Sequence, residues 1–356
     1  MATGKLIYGI QQIGVGVSDV AAAFQWYGRN LCADVLVFDD DNTATYMAPY
    51  MGGQPHAKRA MLAINMQGGS GYELWQYLDR TPEAPHTPIQ LGDLGIYAVM
   101  TKSTDVARSY EILQQNGVKL RSDIVQDPNG TDYFFIEDHQ GNLLKISAFD
   151  SWYSNNGTHI GGVFGCMLGV SDIEKARALY SDILGYDKIL YDETGVFDDL
   201  QSLPGGAGRF RRVLLTHHAP RQGGLSALFG KSQLELIQAL DRQPVKIYAD
   251  RYWGDLGFIH LCFDVCGMNA LRQECAEKGF PFRVDSENSF KMGEAAGHWS
   301  YIEDPDGTLI EFIETHKIPL VKKWNWYIDL RKRDPLKPLP NWLIKALGFN
   351  RVKLGK

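Results

Sequence analysis

The chain has 356 residues, of which 44% are hydrophobic and 22% charged, and it carries a net charge of −6. That is the composition of a soluble globular protein with room for two ordinary domains and an extension. No apolar run approaches the roughly 20 residues of a membrane span, and Met1-Ala2-Thr3-Gly4-Lys5 opens no secretory apolar core, so a cytoplasmic protein is expected.

Five cysteines (Cys32, Cys166, Cys262, Cys266, Cys275) form an odd set without a disulfide pattern, as a reducing compartment allows. Cys262 and Cys266 sit in or beside an apolar strand and read as core rather than as a zinc site. The charge is unevenly spread. From Val321 onward ten basic residues face two acidic ones, a net +8, so the rest of the chain carries −14. A basic tail on an acidic body predicts self-docking more than nucleic-acid binding.

In chain order, Ile7–Val17 is a β-rich run that ends at Ser18-Asp19, which can cap a helix predicted over Val20–Leu31. Gly92–Val99 opens a second unit, with a helix near Val106–Gln115 followed by strands. Gly162–Ile173 repeats the first phrase nearly letter for letter, including Ser171-Asp172, and Gly254–Leu261 repeats the second. The repeat of roughly 150 residues makes two similar domains of two units each. Tyr72-Glu73-Leu74-Trp75 and Leu234-Glu235-Leu236-Ile237 close the first and third units. Leu143-Leu144-Lys145 and Leu309-Ile310-Glu311-Phe312 close the second and fourth. The last follows Asp304-Pro305-Asp306-Gly307, in which Pro fixes φ and Gly permits a positive one, as a tight hairpin needs. The boundaries read 1–150, a Ser/Asn/Gly linker at 151–158, 159–318, and a basic aromatic extension at 319–356.

Four βαβββ units with Ser-Asp helix openings and an Asp-Pro-Asp-Gly-x-x-x-Glu closing phrase resemble the vicinal oxygen chelate superfamily, over about residues 5–315. That superfamily includes glyoxalase I, bleomycin-resistance proteins and extradiol dioxygenases. The resemblance implies an α+β fold in which paired units form two glyoxalase-like domains, each curling a mixed sheet around a cavity, with a C-terminal tail outside the repeat. It also implies metal ligands on the first and last strands of each unit. Those positions hold Gln12, Ala98, Gly165 and His260 on the first strands, and Glu73, Lys145, Glu235 and Glu311 on the last.

With consecutive units paired, the second domain would offer Glu235, His260 and Glu311 to a divalent Fe, Mn, Zn, Co or Ni ion. The alternative is a hydrogen-bonded core histidine and two solvent-facing glutamates. The first domain would hold Gln12 and Glu73 in a metal-free copy, with Lys145 paired to Glu73 or exposed on its strand.

Candidate catalytic residues are Glu235 or Glu311 as base, Tyr301 at the place of a dioxygenase acid–base tyrosine, and His298 before the final hairpin. Tyr301 also reads as a plain core tyrosine. His217 and His218 end a strand beside the Gly-rich insertion Pro204–Gly230. Its Arg209, Arg211, Arg212 and Arg221 either hold an anion or form a solvated loop. The tail's Trp324, Trp326 and Trp342 either clamp the body or meet a membrane surface.

The expected function is a metal-dependent glyoxalase-like lyase or isomerase acting on a small carbonyl or enediolate substrate. The alternatives are an extradiol-type dioxygenase, or a metal-free binding protein of the bleomycin-resistance type.

Overall fold

The computed structural model describes residues 4–287, 290–292, 295–321 and 326–355. Among them, four consecutive units each run strand, helix, further strands. The first holds β1 (Leu6–Gly16), α1 (Val20–Leu31), β2 (Val35–Thr43), β3 (Ala57–Ile64) and β4 (Gly71–Tyr77). The second holds β5 (Gly95–Ser103), α2 (Val106–Gln115), the short β6 (Lys119–Leu120) and β7 (Val125–Gln126), then β8 (Asp132–Glu137) and β9 (Leu143–Ala148). The third holds β10 (Ile160–Gly169), α3 (Ile173–Tyr180), β11 (Lys188–Gly195), β12 (Phe210–Thr216), α4 (Ser226–Phe229) and β13 (Gln233–Ala239). The fourth holds β14 (Gly257–Cys266), α5 (Met268–Glu277), β15 (Val284–Asp285), β16 (Phe290–Met292), β17 (Ala295–Glu303) and β18 (Leu309–Val321). The tail adds β19 (Trp326–Asp329) and α6 (Asn341–Lys345).

Local chemistry sets these boundaries. Asp19 accepts from the backbone N–H groups of Ala21 and Ala22, Asp105 from Arg108 and Asp172 from Lys175, so three of the unit helices start on a carboxylate cap. The fourth starts at Gly267, whose left-handed φ of 82° replaces the cap. In the last hairpin Asp304 Oδ1 accepts from the N–H groups of Asp306 and Thr308. Gly307 takes the positive φ the turn requires.

The units do not pair in chain order. β1 lies antiparallel to β14 and parallel to β4, while β10 lies antiparallel to β5 and parallel to β13. The first and fourth units therefore build one sheet, ordered β15-β17-β18-β14-β1-β4-β3-β2. The second and third build the other, ordered β11-β12-β13-β10-β5-β9-β8-β6. This corrects the expectation that consecutive units share a sheet. Consecutive units instead meet back to back through their helices. Tyr27 of α1 donates to Asp138 in the second unit's hairpin (2.7 Å), and Tyr180 of α3 donates to Asp304 in the fourth unit's (2.9 Å). With helices and outer sheet faces sharing one apolar core, the free edges of β1 and β10 must find partners across the chain.

The concave faces differ. The second sheet's interior is packed with Tyr133, Phe135, Phe164, Met167, Tyr191 and Phe210. The first sheet encloses a cavity of about 260 Å³. The insertion expected as a loop contains β12, and three of its arginines, Arg211, Arg212 and Arg221, are engaged. Arg211 pairs with Asp192 and Glu174, and Arg221 donates to Leu184 O.

The tail docks on the first sheet. β19 pairs with β18, and Leu339, Leu343, Ile344 and Leu347 are buried. Among the described residues those that dock are aliphatic, and neither Trp326 nor Trp342 is buried as expected from the sequence. Trp326 and Trp342 stack on one another, ring centroids 6.3 Å apart, and both stay exposed. Trp324 lies outside the described residues. Arg351 pairs with Asp34 at 3.1 Å. Ending the chain after Asp329 is expected to lower stability by about 2–4 kcal/mol, since lost aliphatic burial outweighs the chain entropy regained. Urea unfolding measures this, and an unchanged midpoint would show that the tail adds nothing to the core.

Candidate metal centre

Pairing β1 with β14 brings four buried polar side chains together: Gln12, Glu73 and Glu311 on the floor of the cavity, and His260 behind them. His260 Nε2 lies 3.2 Å from Glu73 Oε2 and 3.2 Å from Glu311 Oε2. Gln12 Nε2 is 3.0 Å from Glu73 Oε2 and 3.4 Å from Glu311 Oε2. Each residue comes from the strand position the repeat singles out, two at the beginning of the chain and two at its end. Gly14 makes the approach possible, because a Cβ there would lie 2.3 Å from the His260 ring.

The donor set fits a divalent cation. The ligand atoms of Glu73, His260 and Glu311 all lie within 4.8 Å of one another. Donor atoms about 3 Å apart are spaced like the edges of a polyhedron around an ion at about 2.0–2.2 Å. The buried polar atoms without a well-formed hydrogen bond include two of the cluster, Gln12 Oε1 and His260 Nε2. One imidazole, one amide and two carboxylates suit a borderline first-row ion. Burial alone would depress His260, but the Glu311 and Glu73 carboxylates outweigh it and hold the imidazole up to about 9.

Two neighbours fix the histidine. Trp253 lies nearly parallel over its ring, centroids 6.2 Å apart. Tyr301 Oη lies 3.2 Å from Nδ1. Burial, and then the Glu311 and Glu73 carboxylates, push the Tyr301 phenol well above its ordinary range, so it stays protonated. Tyr301→Phe is expected to weaken metal affinity about 10–100-fold, the usual cost of losing the partner that orients a ligating histidine. Titration with Co(II) checks this, and an unchanged affinity would make Tyr301 a packing residue.

Glu235 and His298 lie elsewhere. The expectation that Glu235 joins His260 and Glu311, as ligand or base, is corrected. Glu235 sits on the second sheet at the place equivalent to Glu73, facing Gly165, Ala98 and Lys145 instead of Gln12, His260 and Glu311. Its partners are Lys145 Nζ (3.1 Å) and Arg212 Nη2 (2.7 Å), with Arg212 also holding Asp199. Tyr191 donates to it at 2.7 Å. Lys145 therefore pairs with Glu235, not with Glu73, and places an ammonium where its counterpart site converges on open donors. His298 alternates with cavity-facing Trp299 and faces away, where Asp285 binds it, so it is no base for this cavity.

Gln12 and Glu73, read from the sequence as a metal-free half site, complete the cluster. Counting complete sets would have found this. Joining the first unit to the fourth gives four donors, whereas joining consecutive units splits them.

A profile of the Glyoxalase/Bleomycin resistance protein/Dioxygenase superfamily matches residues 9–146, and a second profile of the same superfamily matches residues 166–299. The chain belongs to this superfamily. Its fold is similar to that of a provisionally named dioxygenase from Bacillus subtilis subsp. subtilis str. 168, at 14% identity over 87% of this chain and 86% of that one, TM-score 0.56. It is also similar to glyoxalase I from Zea mays, at 14% identity over 87% of this chain and 92% of that one, TM-score 0.52. No curated protein matches the chain. Among the described residues, no helix is long and apolar enough to cross a membrane.

Proposed function

We propose that this protein is a divalent-metal-dependent lyase or isomerase of the glyoxalase kind. Its substrate in this reading is a small molecule with a carbonyl or enediolate oxygen beside a second oxygen. One observation carries the reading: Gln12, Glu73 and Glu311 line the floor of an apolar cavity and converge on the buried His260, whose Nε2 lies 3.2 Å from both carboxylates. These four residues would hold Fe, Mn, Zn, Co or Ni. An ion bound there supplies Lewis-acid polarisation of the substrate's carbonyl or enediolate oxygen.

The remaining chemistry belongs to the side chains. Glu73 or Glu311 takes the proton from the carbon beside the carbonyl and returns it to the neighbouring carbon. Tyr301 accepts from His260 Nδ1–H and keeps its own proton to steady Glu311. Trp75 and Trp253 close the floor against water. The extradiol dioxygenase alternative draws support from Tyr301, but that resemblance implies two imidazoles, and the cluster contains one.

The test is metal analysis of protein purified without added ions, followed by exchange of the substrate-carbon proton in D₂O, read by NMR with an aryl α-hydroxyketone. Exchange that needs the bound metal and disappears in either Glu73→Gln or Glu311→Gln is expected. Protein that neither retains nor takes up a metal would overturn the reading in favour of a binding protein.

A further inference from the structure

The cavity has a second polar feature, away from the four clustered donors. Along β18, Glu311, Ile313, Thr315 and Lys317 all line it. Thr315 stands four residues beyond Glu311, about 13 Å along the strand at about 3.3 Å per residue. On β1 the register slips between Ile10 and Gln12. This makes Gln11 an extra residue in a bulge, and Gln11 and Gln12 both reach the cavity although adjacent strand residues ordinarily face opposite ways. Both new side chains are tied to one buried carboxylate. Gln11 Nε2 donates to Asp264 Oδ2 at 2.7 Å, and Thr315 Oγ1 donates to the same oxygen at 2.9 Å. Those bonds consume the Thr315 hydroxyl hydrogen and one of the two N–H groups of the Gln11 amide. What Thr315 has left to offer the cavity is acceptor capacity from its hydroxyl oxygen, and Gln11 adds an acceptor carbonyl beside its second N–H.

The cavity between this pair and the donor cluster is apolar, walled by Phe38, Leu62, Trp75, Phe229, Trp253 and Trp299. Among the described lining residues there is no arginine. Its two lysines are engaged: Lys58 with Asp40 at 2.9 Å, and Lys317 over the Tyr327 ring at 3.7 Å. A carboxylate-bearing ligand would have to draw Lys317 off that ring to find a cation, and a buried charge without a partner is costly.

We propose that Gln11 and Thr315, held by Asp264, form a specificity station that accepts a hydrogen bond from a neutral hydroxyl at the far end of an uncharged, ring-bearing ligand whose vicinal oxygens face the Gln12, Glu73, His260 and Glu311 cluster. This rests on the metal-centre reading for one end of the ligand only.

Three probes share an α-hydroxyketone core: benzoin, benzoin with a 4-hydroxyl on one ring, and benzoin with a 4-carboxylate there. Binding is read by quenching of tryptophan fluorescence, and Co(II) uptake is followed separately by its absorption. The hydroxylated probe is expected to bind about tenfold more tightly than benzoin, as one buried hydrogen bond allows, and the carboxylate at least tenfold more weakly. Thr315→Val combined with Gln11→Leu should abolish the preference while Co(II) uptake persists, and Thr315→Ser should keep it. A preference that survives the double replacement overturns the proposal. So does a carboxylate bound as tightly as the hydroxyl, or no binding of any probe. A preference without Co(II) uptake would leave the station standing and remove the metal reading, so the two failures are distinguishable.

Discussion

Replacing His260 with alanine is expected to reduce metal affinity by about 100-fold or more and to abolish proton exchange on the substrate carbon. The imidazole is the only nitrogen donor in the cluster. Losing an outer partner of a ligating histidine already costs about 10–100-fold, so losing the ligand itself costs more. The fold should persist, because β14 is held on both sides by β1 and β18. Circular dichroism checks the fold and elemental analysis the metal. Full metal content in a folded His260→Ala protein would show that the cluster is not a metal centre.

Glu235→Gln should have the opposite profile, with metal content unchanged and stability reduced by about 3–5 kcal/mol, the cost of breaking a buried ion pair by removing one partner. Lys145 and Arg212 would keep their charges with Asp199 alone to share. The effect should depend on pH in a defined direction. Burial opposes ionisation of Glu235, but Lys145 and then Arg212 outweigh it and bring its carboxyl down to about 2. Its folded pKa lies below the unfolded value near 4.3, so its stabilisation is fully present above that value and fades as pH falls toward 2. The stability gap between wild type and Glu235→Gln should therefore be full at pH 7 and close between about pH 4.5 and 2. A gap that stays constant with pH would show that the charge is not what stabilises the pair. Loss of metal in Glu235→Gln would return this residue to the catalytic site.

Much of this architecture is legible in local sequence. The Ser-Asp caps predict α1 at Val20–Leu31, the boundaries observed, and the Asp-Pro-Asp-Gly turn closes β17 on β18. All four clustered side chains occupy strand positions that the repeat marks. Their grouping is another matter. Which edge β1 pairs with depends on packing between elements some 250 residues apart, and the four units carry nearly the same local pattern, so no short stretch encodes the choice. His298 was decidable from periodicity, because it stands an odd three residues from inward-facing Tyr301 and so belongs to the opposite face. The bulge that turns Gln11 into the cavity leaves no such mark, since a slip in register depends on the partner strand.

Joining the first unit to the fourth also governs when the centre can exist during synthesis. Gln12 and Glu311 are 299 residues apart. A ribosome releases the chain from its N-terminus at about 5–20 residues per second, so Gln12 and Glu73 emerge well before His260 and Glu311. Until then β1 presents an unpaired edge along a buried, apolar strand, the kind of surface that recruits foreign strands. The second and third units can close their own sheet in the meantime. A nascent chain arrested before β14 would thus carry one finished sheet, one exposed edge and half a set of ligands, and uptake of a metal ion would mark the moment at which the two ends of the chain have met.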